Sequence, residues 1–495
     1  MRSALTSRWQ DGPLPVVVAV LVSLAVGGAV ATRPEYLAAF VAVGAAGAVG
    51  RWNRGVLAGF LALLVLNGIP VINVQPSATG GNYLDDVAVA ALLGFLACCA
   101  LTNSREASRD WVVTIAFAWA GIYLLWWFWE TERSVGANES LFAAVKFGRD
   151  FMYFGLLVPL ALAGLRRRDH LLGFALTLGA GAALYSIGQI LSVLLGLGLP
   201  WLVHIGKTAS FDGVVRIYAP MNDLIIAAFP MALGVALLGP PGARRPAVVL
   251  ALLTGVANAL SFTRAVYASE TVALLLVGFL YCVRAGWEGA RVRRAAMVAI
   301  ACIAVAVAVA SGTGSSQSSS PLEAVVARTE LGFTNVQDQS GNVGYRFQQA
   351  RYVAQVVNGR WLVGVGLRTP DSLWVEGERD GSIRNSDLGS FSILATMGVI
   401  GFVLIYSPVM AGLLFALRER GPVAFGAAMY LGVAIIGSIT LATLSSVSGI
   451  LVVGSVLTLC LNWDHRDAHL AERRAVRRDY GGRSEAGDRL AAARL

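Results

Sequence analysis

Apolar runs of roughly 16–25 residues, each long enough to cross a bilayer as a helix, recur along most of this 495-residue chain. The expected fold is therefore all-α, a polytopic integral membrane protein. Composition agrees. Hydrophobic residues make up 56% of the chain and charged residues 14%, against roughly 25% charged in soluble domains; the mean hydropathy is +0.65.

The candidate spans are 14–31, 36–50, 56–71, 87–101, 111–128, 151–165, 171–195, 222–238, 247–260, 266–283, 295–310, 388–417, 423–441 and 447–461, about 14 transmembrane helices in all. They divide the chain into four parts. Residues 1–310 form an N-terminal transmembrane bundle of about 11 helices. Residues 311–387 form one large extracytoplasmic loop, partly helical; 388–463 hold the C-terminal spans, and 464–495 are a charged cytoplasmic tail.

Arginine placement gives the orientation. With the N-terminus inside, the cytoplasmic connections collect Arg2 and Arg8, Arg51 and Arg54, Arg105 and Arg109, Arg166 to Arg168, and Arg244 and Arg245. They continue with Arg284, Arg291, Arg293 and Arg294, then Arg418 and Arg420, then the arginines after Trp463. These are more than half of the 39 Lys and Arg residues, whereas the links from Pro70 to Asp86 and around Ser445 have none. This is the positive-inside pattern. It puts both termini in the cytoplasm and 311–387 outside, and gives the net charge of +9 a topological origin rather than a nucleic-acid partner. The first apolar run lacks a small-residue cleavage site and reads as a retained span. The five cysteines (Cys98, Cys99, Cys282, Cys302, Cys460) lie in or at the ends of spans. That pattern offers no disulfide framework and no thiolate metal site.

Ionisable residues gather near the outer face in three places. The link before the eighth span holds Lys207, Asp212, Arg216, Asn222 and Asp223. A very short turn carries Ser261, Arg264 and Tyr267, with Glu270 one turn beyond. The third place is the long loop with Arg328, Arg346, Arg351, Arg360, Arg368, Arg379 and Arg384, closing on Asn385-Ser386-Asp387. An arginine in so tight a turn is held close to the membrane plane, where an unpaired guanidinium is costly. One reading has Arg264 snorkelling and pairing with Glu270 or a lipid phosphate. The other makes Arg264 and Arg216 fixed cations for an anionic ligand, with a pyrophosphate as the best fit for two guanidinium forks.

Within the loop, 312–321 is rich in Gly, Ser and Gln and reads as a flexible lead-in. Residues 345–357 place Tyr345, Tyr352, Val353 and Val356 near one stripe, with Arg346 and Gln349 beside it, the pattern of an amphipathic helix lying over the membrane-embedded part. The arginines there serve equally as the solvated face of a structural lid. Residues 361–366 (WLVGVG) are too apolar for a phosphate loop and read as a tight packed turn.

These residues also carry a family resemblance. Ser261-Phe-Thr-Arg264 resembles the S-x-R turn of the bacterial O-antigen polymerase and O-antigen ligase family. Arg216 followed by Pro220 and Asn222 resembles its R…PN segment, with Met221 interrupting the usual pair. Arg346…Trp361-x-x-Gly364-Val-Gly366 resembles its loop, and Asn385-Ser-Asp387…Met397-Gly398-Val-Ile-Gly401 its closing segment. The match spans about 216–401. In the ligase branch a histidine opens the closing segment; here Asp387 stands there and the long loop contains no histidine, which resembles the polymerase branch.

What the resemblance implies is glycosyl transfer from a polyprenyl-pyrophosphate-linked oligosaccharide at the outer face of a bacterial cytoplasmic (inner) membrane. An acceptor hydroxyl attacks the anomeric carbon while pyrophosphate leaves. Arg264 and Arg216 stabilise the departing charge, and Asp387 orients or deprotonates the acceptor. These three are the expected catalytic residues; Asn222, Tyr267, Arg346, Arg351 and Asn385 are the expected substrate-binding ones. No metal and no cofactor are expected. The partners are the lipid-linked oligosaccharide and the bilayer, with a chain-length regulator left open. Two rival classes fit parts of the pattern. A lipid or saccharide transporter shows intramembrane charges but usually internal repeats, which this sequence lacks. Cell-wall glycosyltransferases of the shape, elongation and division type have fewer spans and a pattern not found here.

Overall fold

The computed structural model describes residues 53–66, 83–136, 140–195, 208–211, 214–217, 222–261, 264–285, 350–367 and 389–462, apart from positions 352, 356, 420, 440, 442 and 445. The chain order of elements is α1 (Arg54–Val65), α2 (Tyr83–Thr102), α3 (Ser104–Ala107), α4 (Trp111–Gly136), α5 (Leu141–Gly164), α6 (Arg168–Leu195), β1 (Thr208–Phe211) and β2 (Val214–Ile217). Then follow α7 (Asn222–Leu238), α8 (Pro241–Leu260), α9 (Arg264–Ala285), α10 (Gly389–Arg418), α11 (Pro422–Gly437) and α12 (Val447–Leu461).

The chain is a helical membrane protein. Trp111–Gly136, Arg168–Leu191, Pro241–Leu260 and Gly389–Arg418 are long and apolar enough to cross a bilayer by length and composition, and six shorter apolar helices accompany them. Their outer surfaces carry large apolar side chains such as Leu101, Leu125 and Leu275, at 74%, 72% and 66% exposure; lipid is the solvent that accepts such a surface. The expected spans at 14–31, 36–50 and 295–310 lie outside the described residues, as does most of 311–387.

The all-α reading holds for the bundle, to which the structure adds an antiparallel hairpin in which Ala209 faces Arg216 and Phe211 faces Val214. Its sequence signal is present: Asp212-Gly213 is a hairpin dipeptide, and Val214, Val215 and Ile217 are strand formers. The single span expected over 388–417 is interrupted, because Gly398 inside α10 has φ 65° and ψ −170°, a conformation essentially reserved to glycine.

Small residues let the helices approach. A Cβ on Gly234 of α7 would stand 2.4 Å from the Pro422 carbonyl oxygen, and one on Gly426 of α11 would stand 2.6 Å from the Met231 Cα. With no hydrophobic drive between helices in lipid, such close backbone packing is what holds a bundle together. Tyr123, Tyr430, Phe154 and Leu92 fill the centre.

Helix ends that the arginine pattern placed on one side meet one another. Asn53 caps α1, accepting from the Gly55 and Val56 amides, and donates to the Asp169 carbonyl at 3.1 Å. Arg54 donates to Thr102 Oγ1 at 2.8 Å, Arg166 pairs with Asp110 at 3.1 Å, and Asn103 and Asn462 donate to the Gly164 and Leu165 carbonyls at 3.0 and 2.7 Å. The starts of α1, α4 and α6 and the ends of α2, α5 and α12 therefore share one end of the bundle, an up-and-down arrangement.

Candidate functional site

At the opposite end α4, α8 and α11 finish, and α7, α9 and α12 begin. Here the loop turn at 361–366 is built into α10. In an unbroken helix the amides of Val399 and Ile400 would donate to the carbonyls of Ala395 and Thr396. Instead Val399 donates to Trp361 O at 2.8 Å and Ile400 to Leu362 O at 3.2 Å, while Val365 and Gly366 donate to Ala395 O and Thr396 O at 2.8 and 2.9 Å. The turn therefore satisfies the four backbone groups that the break at Gly398 frees. Left open in hydrocarbon, each would cost several kcal/mol. Gly364 and Gly366 have φ of 64° and 94°, so the packed turn expected from WLVGVG depends on both glycines.

The break folds α10 back on itself. Ser390 and Tyr406 are 16 residues apart, about 24 Å along a straight helix, yet their hydroxyls lie 2.6 Å apart. Ser438 at the end of α11 joins them, 3.0 Å from Ser390 and 2.5 Å from Tyr406, and its carbonyl accepts from the Ser390 amide at 2.8 Å. All three side chains are buried. The half-helix that begins where the long loop ends thus starts from a fixed polar floor.

The turn is also held from α4. Arg133 donates to both carboxylate oxygens of Glu130 at 3.0 and 2.8 Å and to the carbonyls of Val363 and Gly364 at 2.9 and 3.1 Å. Its guanidinium stacks 4.7 Å from the Trp129 ring centroid. Glu130 is fully buried. On the far side of the turn, Val353, Val357, Val365 and Ala395 form a small core of their own.

Two more carboxylates lie at this end. Asp223, in the first turn of α7, accepts from Ser448 of α12. Glu270 of α9 accepts from Asn258 of α8 at 2.8 Å. Beside them, Asn222 Oδ1, Asn258 Oδ1 and the Tyr430 hydroxyl are buried with no hydrogen-bond partner among the described residues. The end is rich in oxygen acceptors, which suits a ligand that brings donors, such as a polyol. Among the described residues no three His, Cys, Asp or Glu side chains converge to hold a metal.

Of the sequence-predicted residues, Asn222 opens α7 and Arg264 opens α9, so both stand at this end. Tyr267 is there too, its hydroxyl donating to the Ala259 carbonyl, which closes the α8–α9 turn. Arg216 lies in β2 opposite Ala209, six residues before Asn222. Of the expected amphipathic helix, residues 350–351 and 353–355 are helical, with Arg351 exposed and Val353 and Val357 buried. Arg346, Asn385 and Asp387 lie outside the described residues. Sequence reasoning missed Glu130 and Arg133, whose i, i+3 spacing looks like an ordinary helix-surface pair, and the Ser390–Tyr406–Ser438 cluster, which no local pattern announces.

Residues 248–406 match the protein family described as O-antigen ligase. No curated protein matches the chain. The matched region starts in α8, takes in the α8–α9 turn and the whole 311–387 segment, and ends in α10 beyond the Gly398 break. It includes Ser261, Arg264, Arg346, Gly364, Gly366, Asp387 and Gly398, on which the resemblance to the O-antigen ligase and polymerase family was read, and supports that resemblance independently; Arg216, Pro220 and Asn222 precede it.

Proposed function

We propose that this chain, with its O-antigen ligase-type region, is a membrane glycosyltransferase. It extends a polyprenyl-pyrophosphate-linked oligosaccharide into a surface polysaccharide at the outer face of the cytoplasmic membrane, without a metal. The observation that carries the reading is the convergence, at one end of the bundle, of the α8–α9 turn bearing Arg264, the start of α7 bearing Asn222, and the loop turn set into broken α10. A lipid-linked substrate needs such a place, where a polar site opens at the edge of the lipid-facing surface.

The acceptor hydroxyl attacks the anomeric carbon of the donor sugar, the bond to the phosphate oxygen breaks, and the polyprenyl pyrophosphate leaves with the electron pair. Arg264 and Arg216 neutralise charge that grows on that oxygen, so they stabilise the transition state more than the ground state. Asp387 takes up or orients the proton of the acceptor hydroxyl. Asn222, Arg346, Arg351 and Asn385 hold the saccharide. Tyr267 acts beside them by bracing the turn that presents Arg264.

Asp387 in the place of the ligase histidine favours chain extension over transfer to an unrelated acceptor. The two are separated by giving the purified protein in lipid only the polyprenyl-pyrophosphate oligosaccharide, with no metal and no nucleotide sugar. A ladder of longer lipid-linked products is expected. Product formed only when a different acceptor is added would assign the ligase reaction, and movement of the glycolipid across the bilayer with no new bond would assign transport.

A further inference from the structure

We propose that Arg133, held by the buried Glu130, is a positioning residue for this reaction: it locks the loop turn into broken α10 and so fixes the Arg351-bearing segment over the polar end of the bundle. The inference rests on the glycan-transfer reading and extends it to a helix in the first half of the chain.

Arg133 lies 230 residues before the turn it holds. Its guanidinium engages two carboxylate oxygens, two carbonyls and the Trp129 ring. Burying a carboxylate such as Glu130 is costly unless a cation and further hydrogen bonds compensate. The pair does more than compensate itself. Nη1 and Nη2 reach successive carbonyls, Val363 and Gly364, and this is the geometry of a planar fork rather than of a point charge. Those carbonyls sit immediately before the two amides, Val365 and Gly366, that complete α10. Arg133 thus grips the turn on one face while α10 grips it on the other.

The grip reaches the site through packing. A Cβ on Gly366 would stand 2.7 Å from Ser134 Oγ, and one on Gly148 of α5 would stand 2.4 Å from Leu367 Cδ1, so the turn packs closely against α4 and α5. Val353 and Val357 pack onto Val365 and Ala395, which ties the helical turn carrying exposed Arg351 to the same anchor. Arg216 and Arg264, the residues assigned to the pyrophosphate, belong to β2 and α9 and not to this anchor. Loosening the anchor therefore slows the chemical step while leaving the hold on the lipid-linked pyrophosphate in place.

The test uses the full chain in lipid with the polyprenyl-pyrophosphate oligosaccharide, comparing wild type with Arg133→Gln and Arg133→Lys. Arg133→Gln should lower kcat by on the order of 10–100-fold, with a smaller rise in KM from the loosened Arg351 segment. In hydrogen exchange, the peptides holding the Val365, Gly366, Val399 and Ile400 amides should lose protection, while those around Asp110 and Arg166 keep it. Arg133→Lys keeps the charge opposite Glu130 but not the fork, so it should recover part of the rate. It also carries the test if Arg133→Gln does not fold. Full kcat in a variant whose exchange has accelerated overturns the proposal, and so does exchange that does not change. Absence of turnover in wild type would remove the glycan-transfer reading and this role with it, whereas a normal wild-type ladder that the variants leave at full rate removes this role alone.

Discussion

Gly364 and Gly398 meet backbone to backbone: a Cβ on Gly364 would stand 2.6 Å from the Gly398 amide nitrogen, and one on Gly398 would stand 2.5 Å from that of Gly364. The contact joins a loop turn to a helix break. It lets each supply the hydrogen bonds that the other lacks, so the turn at 361–366 is joined to α10 by main chain.

Alanine at either position should therefore damage the fold. The positive-φ backbone alone costs a non-glycine residue about 1–3 kcal/mol, and the clash with main-chain atoms adds to it because neither partner can rotate away. Thermal unfolding in detergent should show a large loss for Gly364→Ala and Gly398→Ala. Gly121→Ala, where a Cβ meets nothing within 4 Å, should be neutral or stabilising by roughly 0.5–1 kcal/mol.

The hydroxyl cluster predicts coupling. Tyr406→Phe and Ser390→Ala each remove part of a triangle that is buried and mutually bonded. Each should cost about 1 kcal/mol, and the double variant should fall short of the sum by about 0.5 kcal/mol or more. Strict additivity in chemical unfolding would mean that α10 does not fold back as described.

The opposite end should matter for stability and not for chemistry. Arg166→Gln leaves the Asp110 carboxylate, 7% exposed, without its cation, a loss of about 3–5 kcal/mol for a buried pair. Activity per folded molecule should be unchanged when measured below the lowered unfolding temperature.

Of the proposed site, Ser448→Ala should weaken the setting of Asp223, to which its hydroxyl donates. Turnover should fall several-fold, and Asp223→Asn should fall further because it replaces one of the two carboxyl oxygens with an amide nitrogen. Rates equal to wild type in both would separate this carboxylate from the reaction and leave it as a packing group.

Much of this was legible in the sequence, and the failures have physical causes. The helices follow from run length, and arginine placement grouped helix ends that the structure brings together. The meeting of Asn53, Thr102, Asp110, Leu165 and Asn462 at one end agrees with that alternation. The break in α10 was not legible, since glycine is common inside membrane helices and Gly398 looks no different from Gly401 nearby. What distinguishes it is a turn over 30 residues earlier in the chain, and hydropathy has no term for such a pairing. Arg133 was missed for the same reason: its carboxylate partner is local, but its function depends on carbonyls whose sequence carries no trace of the contact. Arg264 stood out because the shortness of its turn is itself a local fact.

The central claim is the proposal that Arg264 and Arg216 drive glycan transfer from a lipid pyrophosphate. It is tested most directly by the initial rate of ladder formation, in the same lipid, by wild type and by Arg264→Ala. Wild type should lengthen the lipid-linked oligosaccharide, and Arg264→Ala should lose at least on the order of 100-fold in rate with an unchanged unfolding temperature. A folded Arg264→Ala protein that builds the ladder at the wild-type rate would contradict the account.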